Sequence, residues 1–163
     1  RIDRNKGVDR LFTYWQRLHE EWPDLPPLVL VGRPALDIPK HPKIRHLGFV
    51  SEEEKFALLA GCDLLVLPSA YESLSVIVLE AWAMGRPVLV NSACRVLEGQ
   101  CVRSGGGLFY RGYSEFAEAL RRLVGDAPLR QALGEAGRRY VAAEYDWDVV
   151  ERRTEEFLRG LAS

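Results

Sequence analysis

Two apolar patterns take turns along the chain. Leu11, Tyr14, Trp15, Leu18 and Trp22 recur at helical spacing, which predicts an amphipathic helix over about 9–22, ended by Pro23, Pro26 and Pro27. Leu28-Val29-Leu30-Val31 is then a continuous apolar run stopped by Gly32, the pattern of a parallel strand buried on both faces. A weaker strand is expected from Ile44 to Leu47. Ser51-Glu52-Glu53-Glu54 reads as a capping box that opens a helix to about Gly61. The pattern repeats with a strand at Leu64-Leu65-Val66-Leu67, a loop from Pro68 to Glu72, a helix over 73–84 ended by Gly85, and a strand at Pro87-Val88-Leu89-Val90. Residues 92–105 read as irregular, and 92–107 as a candidate mobile lid. Leu108-Phe109-Tyr110 predicts a last short strand, followed by helices over 114–124, 128–144 and 147–161. Pro128 stands in a first turn after Asp126, and Asp146 is placed to cap the last helix.

Alternating helices and wholly apolar strands predict a Rossmann-like, doubly wound α/β fold, a mostly parallel sheet with helices on both faces. The 163 residues suit one domain, 1–163. Hydrophobic residues make up 47% and charged residues 28%, an ordinary soluble balance. A net charge of −1 argues against nucleic-acid binding and against a polybasic membrane patch. No apolar run approaches the ~18 residues of a membrane span. Cys62, Cys94 and Cys101 are odd in number and contain no C-x-x-C, so a disulfide framework is not expected and a reducing, cytoplasmic setting fits. Cys94 and Cys101 read as buried small apolar residues, with a redox pair as the alternative. His19, His41 and His46 lack acidic or thiol partners at ligand spacing, and Asp146-Trp147-Asp148 reads as a helix cap, so no metal site is expected.

In such sheets ligands bind beyond the carboxyl ends of the strands. Three segments there carry candidate chemistry. Arg1 and Lys6 precede a helix that begins near Val8 or Asp9, which makes an anion site or, more plainly, a solvated charged terminus. Pro68-Ser69-Ala70-Tyr71-Glu72-Ser73-Leu74-Ser75 joins a strand to a helix, and the amides of Ser73, Leu74 and Ser75 are candidate phosphate donors. Glu80 lies eight positions after Glu72. Each carboxylate can accept from both hydroxyls of a sugar diol, and about 12 Å of helix between them would suit the two ends of a nucleotide sugar. The plain alternative has Glu72 capping the helix and Glu80 paired with Arg86. The third segment combines the Gly32-Arg33-Pro34 turn with Gly48-Phe49-Val50, where glycine permits close backbone approach.

Several runs together resemble the carboxyl-terminal half of family 4 (group 1) retaining glycosyltransferases of GT-B architecture. They are Arg1…Lys6-Gly7-Val8-Asp9, Leu30-Val31-Gly32, Leu47-Gly48-Phe49-Val50-Ser51-Glu52-Glu53-Glu54-Lys55, Ala60 to Ser69, and Tyr71-Glu72-Ser73-Leu74-Ser75 through Glu80-Ala81-Trp82-Ala83-Met84-Gly85-Arg86-Pro87-Val88. The resemblance implies that Arg1 and Lys6 hold the diphosphate of a UDP-, GDP- or ADP-sugar donor. Glu72 would contact the sugar, the amides of Leu74 and Ser75 would lie near the phosphates, and Glu80 would bind the ribose. Gly48-Phe49-Val50 would line the base pocket, with Gly32 beside it. Arg1 and Lys6 would stabilise the leaving diphosphate, so neither a metal nor another cofactor is implied. Ser92 to Gly99 stands where the family carries a Gly-Gly-x-Pro-Glu-like loop. The resemblance also implies a first strand and an amino-terminal acceptor domain lying outside this chain, with any peripheral membrane contact belonging to that domain. A non-catalytic nucleotide-sugar module and another GT-B enzyme, such as a sugar-nucleotide epimerase, are the competing functions.

Overall fold

The computed structural model describes residues 2–161. Among these are five short strands and seven α-helices. A 3-10 turn, Arg4–Lys6, leads through Gly7 into α1 (Val8–Glu21). Gly7 is required there, because its φ is 71° and a Cβ would strike the Pro68 carbonyl. The chain continues through β1 (Leu28–Leu30), β2 (Ile44–His46), α2 (Glu52–Gly61), β3 (Leu65–Leu67) and α3 (Val76–Ala83). It ends with β4 (Val88–Asn91), α4 (Arg95–Ser104), β5 (Gly107–Tyr110), α5 (Tyr113–Gly125), α6 (Ala127–Glu144) and α7 (Trp147–Leu161).

All strand pairing is parallel. β1 pairs with β2, and β3, β4 and β5 form a second sheet in that order. β1 and β3 therefore each leave one edge without a strand partner among the described residues. Ile2 forms a parallel bridge to Pro34, just past the carboxyl end of β1.

The side chains of β4 divide the core in two. Leu89 packs with α1 and α5 residues, including Trp15, Leu18, Phe116 and Leu120. Val88 and Val90 pack on the other face with Val78, Trp82, Leu97 and Cys101. Helices thus cover both faces, as the doubly wound pattern predicts. Trp82 is fully buried, donates to the Gly106 carbonyl at 2.8 Å, and lies where a Cβ on Gly106 or Gly137 would meet its ring.

Three sequence expectations change. Only β4 is buried throughout; Val29 is 43% exposed and β3 is half-buried. Among the described residues β1 and β3 are each paired on one side alone, and both are less covered than β4, which is paired on both sides. Residues 92–105 are not an irregular lid. They contain α4, which buries Leu97, Gln100, Cys101 and Ser104 and ends at Gly105 in a left-handed conformation. The helix expected over 73–84 begins later, at Val76, with Ser75 as its N-cap residue.

The expected caps of α2, α6 and α7 are present. Ser51 and Glu54 exchange both bonds of a capping box, Asp126 accepts from Leu129 N, and Asp146 accepts from Asp148 N. No described helix is long and apolar enough to cross a membrane.

Candidate functional site

Gly32, Phe49, Val50, Glu72, Leu74 and Ser75 lie on loops past the carboxyl ends of β1, β2 and β3, Lys6 lies in the turn before α1, and Glu80 lies within α3. Lys6 Nζ donates to Glu72 Oε1 at 2.8 Å. Glu72 is therefore not the cap of α3. It sits in the loop after β3, its carboxylate largely buried against the amino-terminal turn. That loop is fixed internally: buried Ser69 donates to the Tyr71 carbonyl at 3.0 Å. The Asn91 amide donates to the Pro68 carbonyl at 3.0 Å and accepts from Ala93 N. Cys94 Sγ lies 3.9 Å from the Glu72 carbonyl oxygen.

Because α3 begins at Val76, only Glu80 lies within it, and the Glu72–Glu80 interval is not a helical span. The first helical hydrogen bonds, Val78 N and Leu79 N to the Ser75 carbonyl, leave Val76 N and Ile77 N as the open donors of the helix start. Ser73, Leu74 and Ser75 precede the helix, Leu74 exposed and Ser75 buried. Glu80 pairs with Lys55 of α2 at 2.8 Å, and Arg86 instead donates to the Ala60 carbonyl. Lys55 also bonds Glu52 at 2.7 Å, and these two carboxylates together raise the ammonium's pKa, the Glu52 bond most.

The third segment is tied to the first two. Gly32 N donates to the Gly48 carbonyl at 2.7 Å, and His46 Nε2 contacts the Gly32 carbonyl at 2.8 Å. Phe49 is 76% exposed with the Arg33 guanidinium 5.6 Å from its ring centre, and Val50 leads into the Ser51 cap of α2. Ile2 exchanges backbone bonds with Arg33 and Ala35. The contacts close a ring: the Gly32 turn, Ile2, Lys6, Glu72, α3, Glu80, Lys55, α2, and the Gly48-Phe49-Val50 loop back to Gly32. Of the sequence-derived site residues, Arg1 lies outside the described residues.

Beside Lys6 is an open cleft of about 430 Å³, lined among others by Arg4, Arg10, Ala70, Tyr71 and Asn91. Sequence reading assigned no role to Asn91 or Lys55. Asn91 carried only a strand-end position, and the Glu80 partner of Lys55 lies 25 positions away. His19 and His41 stack edge to face at 4.9 Å, and desolvation, then His19, lowers the His41 pKa. Cys94 and Cys101 are buried and free, and burial pushes the Cys101 thiol up to about 12.

Comparison with known proteins adds a second line. Residues 1–126 match the family described as "Glycosyl transferases group 1". The chain is 30% identical to D-inositol 3-phosphate glycosyltransferase of Corynebacterium urealyticum, over 99% of this chain and 42% of that protein. Anabaena Alr3699/HepE, solved in complex with UDP-glucose, superposes with a TM-score of 0.78 at 19% identity, over 98% of this chain and 47% of that one. The solved C-terminal domain of a glycosyl transferase group 1 family protein, LpcC of Francisella tularensis, superposes with a TM-score of 0.71 at 21% identity, over 90% and 83%. At these identities the structures establish the fold. The chain spans less than half the length of the curated relatives it matches across nearly all of its own length.

Proposed function

The chain belongs to the group 1 glycosyl transferases, and from that membership we propose that it is the donor-binding part of a retaining glycosyltransferase. The donor is a nucleotide diphosphate sugar, and the whole protein moves its sugar to an acceptor. The ring of contacts at the strand ends carries this reading, above all the Lys6–Glu72 pair, because it sets a cation against the carboxylate expected to meet the sugar. Lys6 and Arg1 hold the diphosphate, with the open amides at the start of α3 and the preceding Leu74 and Ser75 amides beside it. Glu72 accepts from the sugar hydroxyls. Glu80 accepts from the ribose hydroxyls, and Phe49 and Val50 line the base, near Gly32.

Cleavage of the anomeric bond leaves negative charge on the diphosphate and positive charge on the sugar. Fixed cations at the leaving group lower the barrier at the atoms where charge develops. That role is the one a metal ion would otherwise fill, so transfer is read as metal-independent. The acceptor-binding domain and a strand joining the open edges of β1 and β3 belong to the rest of the protein in this reading. It accords with the share of the relatives' length that the chain covers. Three free cysteines accord with a cytoplasmic setting, with any membrane contact made by the acceptor domain.

Calorimetry with a panel of UDP-, GDP- and ADP-sugars tests the proposal. Binding selective for one of them, together with transfer to an acceptor by the whole protein, is expected. Failure of every donor to bind overturns the donor role, and binding without transfer replaces it with a non-catalytic module.

A further inference from the structure

Glu80 does not stand alone. Its Oε1 receives the Lys55 ammonium at 2.8 Å, across from another helix, and the two side chains are only 20% and 23% exposed. Lys55 is itself held on the far side by Glu52, one turn earlier on α2, and its Nζ lies 4.7 Å from the centre of the Phe56 ring. The capping box fixes the start of that helix through Ser51 and Glu54. A lysine placed three residues into a capped helix is thus aimed at one oxygen of a carboxylate on α3.

A carboxylate presents about four acceptor positions on two oxygens. Occupying one oxygen from a fixed direction sets the plane of the group and leaves Oε2 open to other donors. A flexible glutamate loses rotamer freedom when it is ordered. Lys55 orders Glu80 before any ligand arrives. We propose that Lys55 is a positioning residue for the nucleoside grip: it pins Oε1 of Glu80 so that the carboxylate accepts the two hydroxyls of a ribose, and so selects ribonucleotide over deoxyribonucleotide donors. This rests on the reading of Glu80 as the ribose acceptor.

The pair has a second effect that must be separated from the first. The ammonium neutralises Glu80 and so reduces its repulsion of a diphosphate. That effect acts alike on ribose and deoxyribose ligands, whereas positioning acts only where the hydroxyls are present.

The test is calorimetry of the protein with whichever of UDP, GDP or ADP binds best, and with its 2′-deoxy and 3′-deoxy forms. Wild type, Lys55→Met, Lys55→Gln, Glu80→Gln and the double variant Lys55→Met/Glu80→Gln are compared. Lys55→Met and Lys55→Gln are expected to lower the preference for the ribonucleotide by about tenfold, the scale of one charge-assisted hydrogen bond. The double variant is expected to lose no more preference than Glu80→Gln alone. An unchanged preference in both lysine variants, with Glu80→Gln still impaired, overturns the positioning role and leaves the ribose reading standing. Equal weakening of ribose and deoxyribose ligands also overturns it, in favour of bulk charge or fold. An unchanged preference in Glu80→Gln, or no binding by any of the three nucleotides, removes the ribose reading and this inference with it.

Discussion

Lys6 and Glu72, 66 positions apart, meet at 2.8 Å between the turn before α1 and the loop after β3. A cation on the amino-terminal segment is thereby held against a carboxylate in the loop that follows β3. In the proposed function the pair marks where a diphosphate and a sugar meet, and each member can be tested separately.

Replacement Lys6→Ala is expected to weaken donor binding about tenfold at low salt, as a lost charge-assisted contact does. The ammonium is partly exposed, so raising the ionic strength to about 0.5 M, where the Debye length is only a few Å, should shrink the difference to a few-fold. Calorimetric titration at two salt concentrations checks this. A deficit that does not change with salt would assign Lys6 to packing.

Glu72→Gln separates sugar from diphosphate. If the carboxylate contacts the sugar, affinity for the bare nucleoside diphosphate stays within about twofold, and transfer by the whole protein falls by two orders of magnitude or so. Equal losses for the bare diphosphate and the nucleotide sugar would move Glu72 away from the sugar.

Trp82 leaves no room beside Gly137. A methyl group there would overlap the indole, which is itself fixed by its bond to the Gly106 carbonyl. Gly137→Ala is expected to cost about 1–3 kcal/mol through overpacking, outweighing the ~1 kcal/mol that alanine gains in helix propensity. Gly61→Ala, at the end of α2 with nothing within 4 Å of an added Cβ, serves as the control and should leave the denaturation midpoint unmoved or slightly raised by helix propensity. A denaturant series on both variants reads the difference.

Burial raises the Cys101 thiol to about 12. The folded form holds the proton that the unfolded chain gives up first. Its contribution is therefore complete below the usual thiol range and is lost as the pH climbs from that range towards 12. A thiol-labelling reagent at pH 8 should reach partly exposed Cys62 first and Cys94 and Cys101 only after unfolding, which a mass-resolved time course reports.

Much of the architecture was legible because each element announced itself locally. The apolar spacing through Leu11, Trp15 and Leu18 placed α1 to within about a residue of its ends, and the Ser51–Glu54 box placed the start of α2. What failed to show was set by distant partners. α4 hid because its buried face spends two positions on Gln100 and Ser104, which read as polar surface in a linear pattern. The start of α3 slipped because the segment after Glu72 reads as already helical, whereas the first helical bonds accept at the Ser75 carbonyl and no side-chain cap marks that position. Within the site, glycine turns and the two glutamates could be picked out. The partner of Glu80 could not, because an i,i+6 arginine was the nearest cation in sequence while Lys55 was the nearest in space.

The ring around the candidate site also bears on the order in which the molecule forms. Its two side-chain links span 66 and 25 positions, and both depend on parallel strands whose crossovers must already be ordered. Contacts of that separation come late in folding, after local helices have formed. A chain with its helices formed therefore still lacks the ring until both crossovers are in place. Ligand present during synthesis can reward only the finished arrangement, never a partly wound precursor.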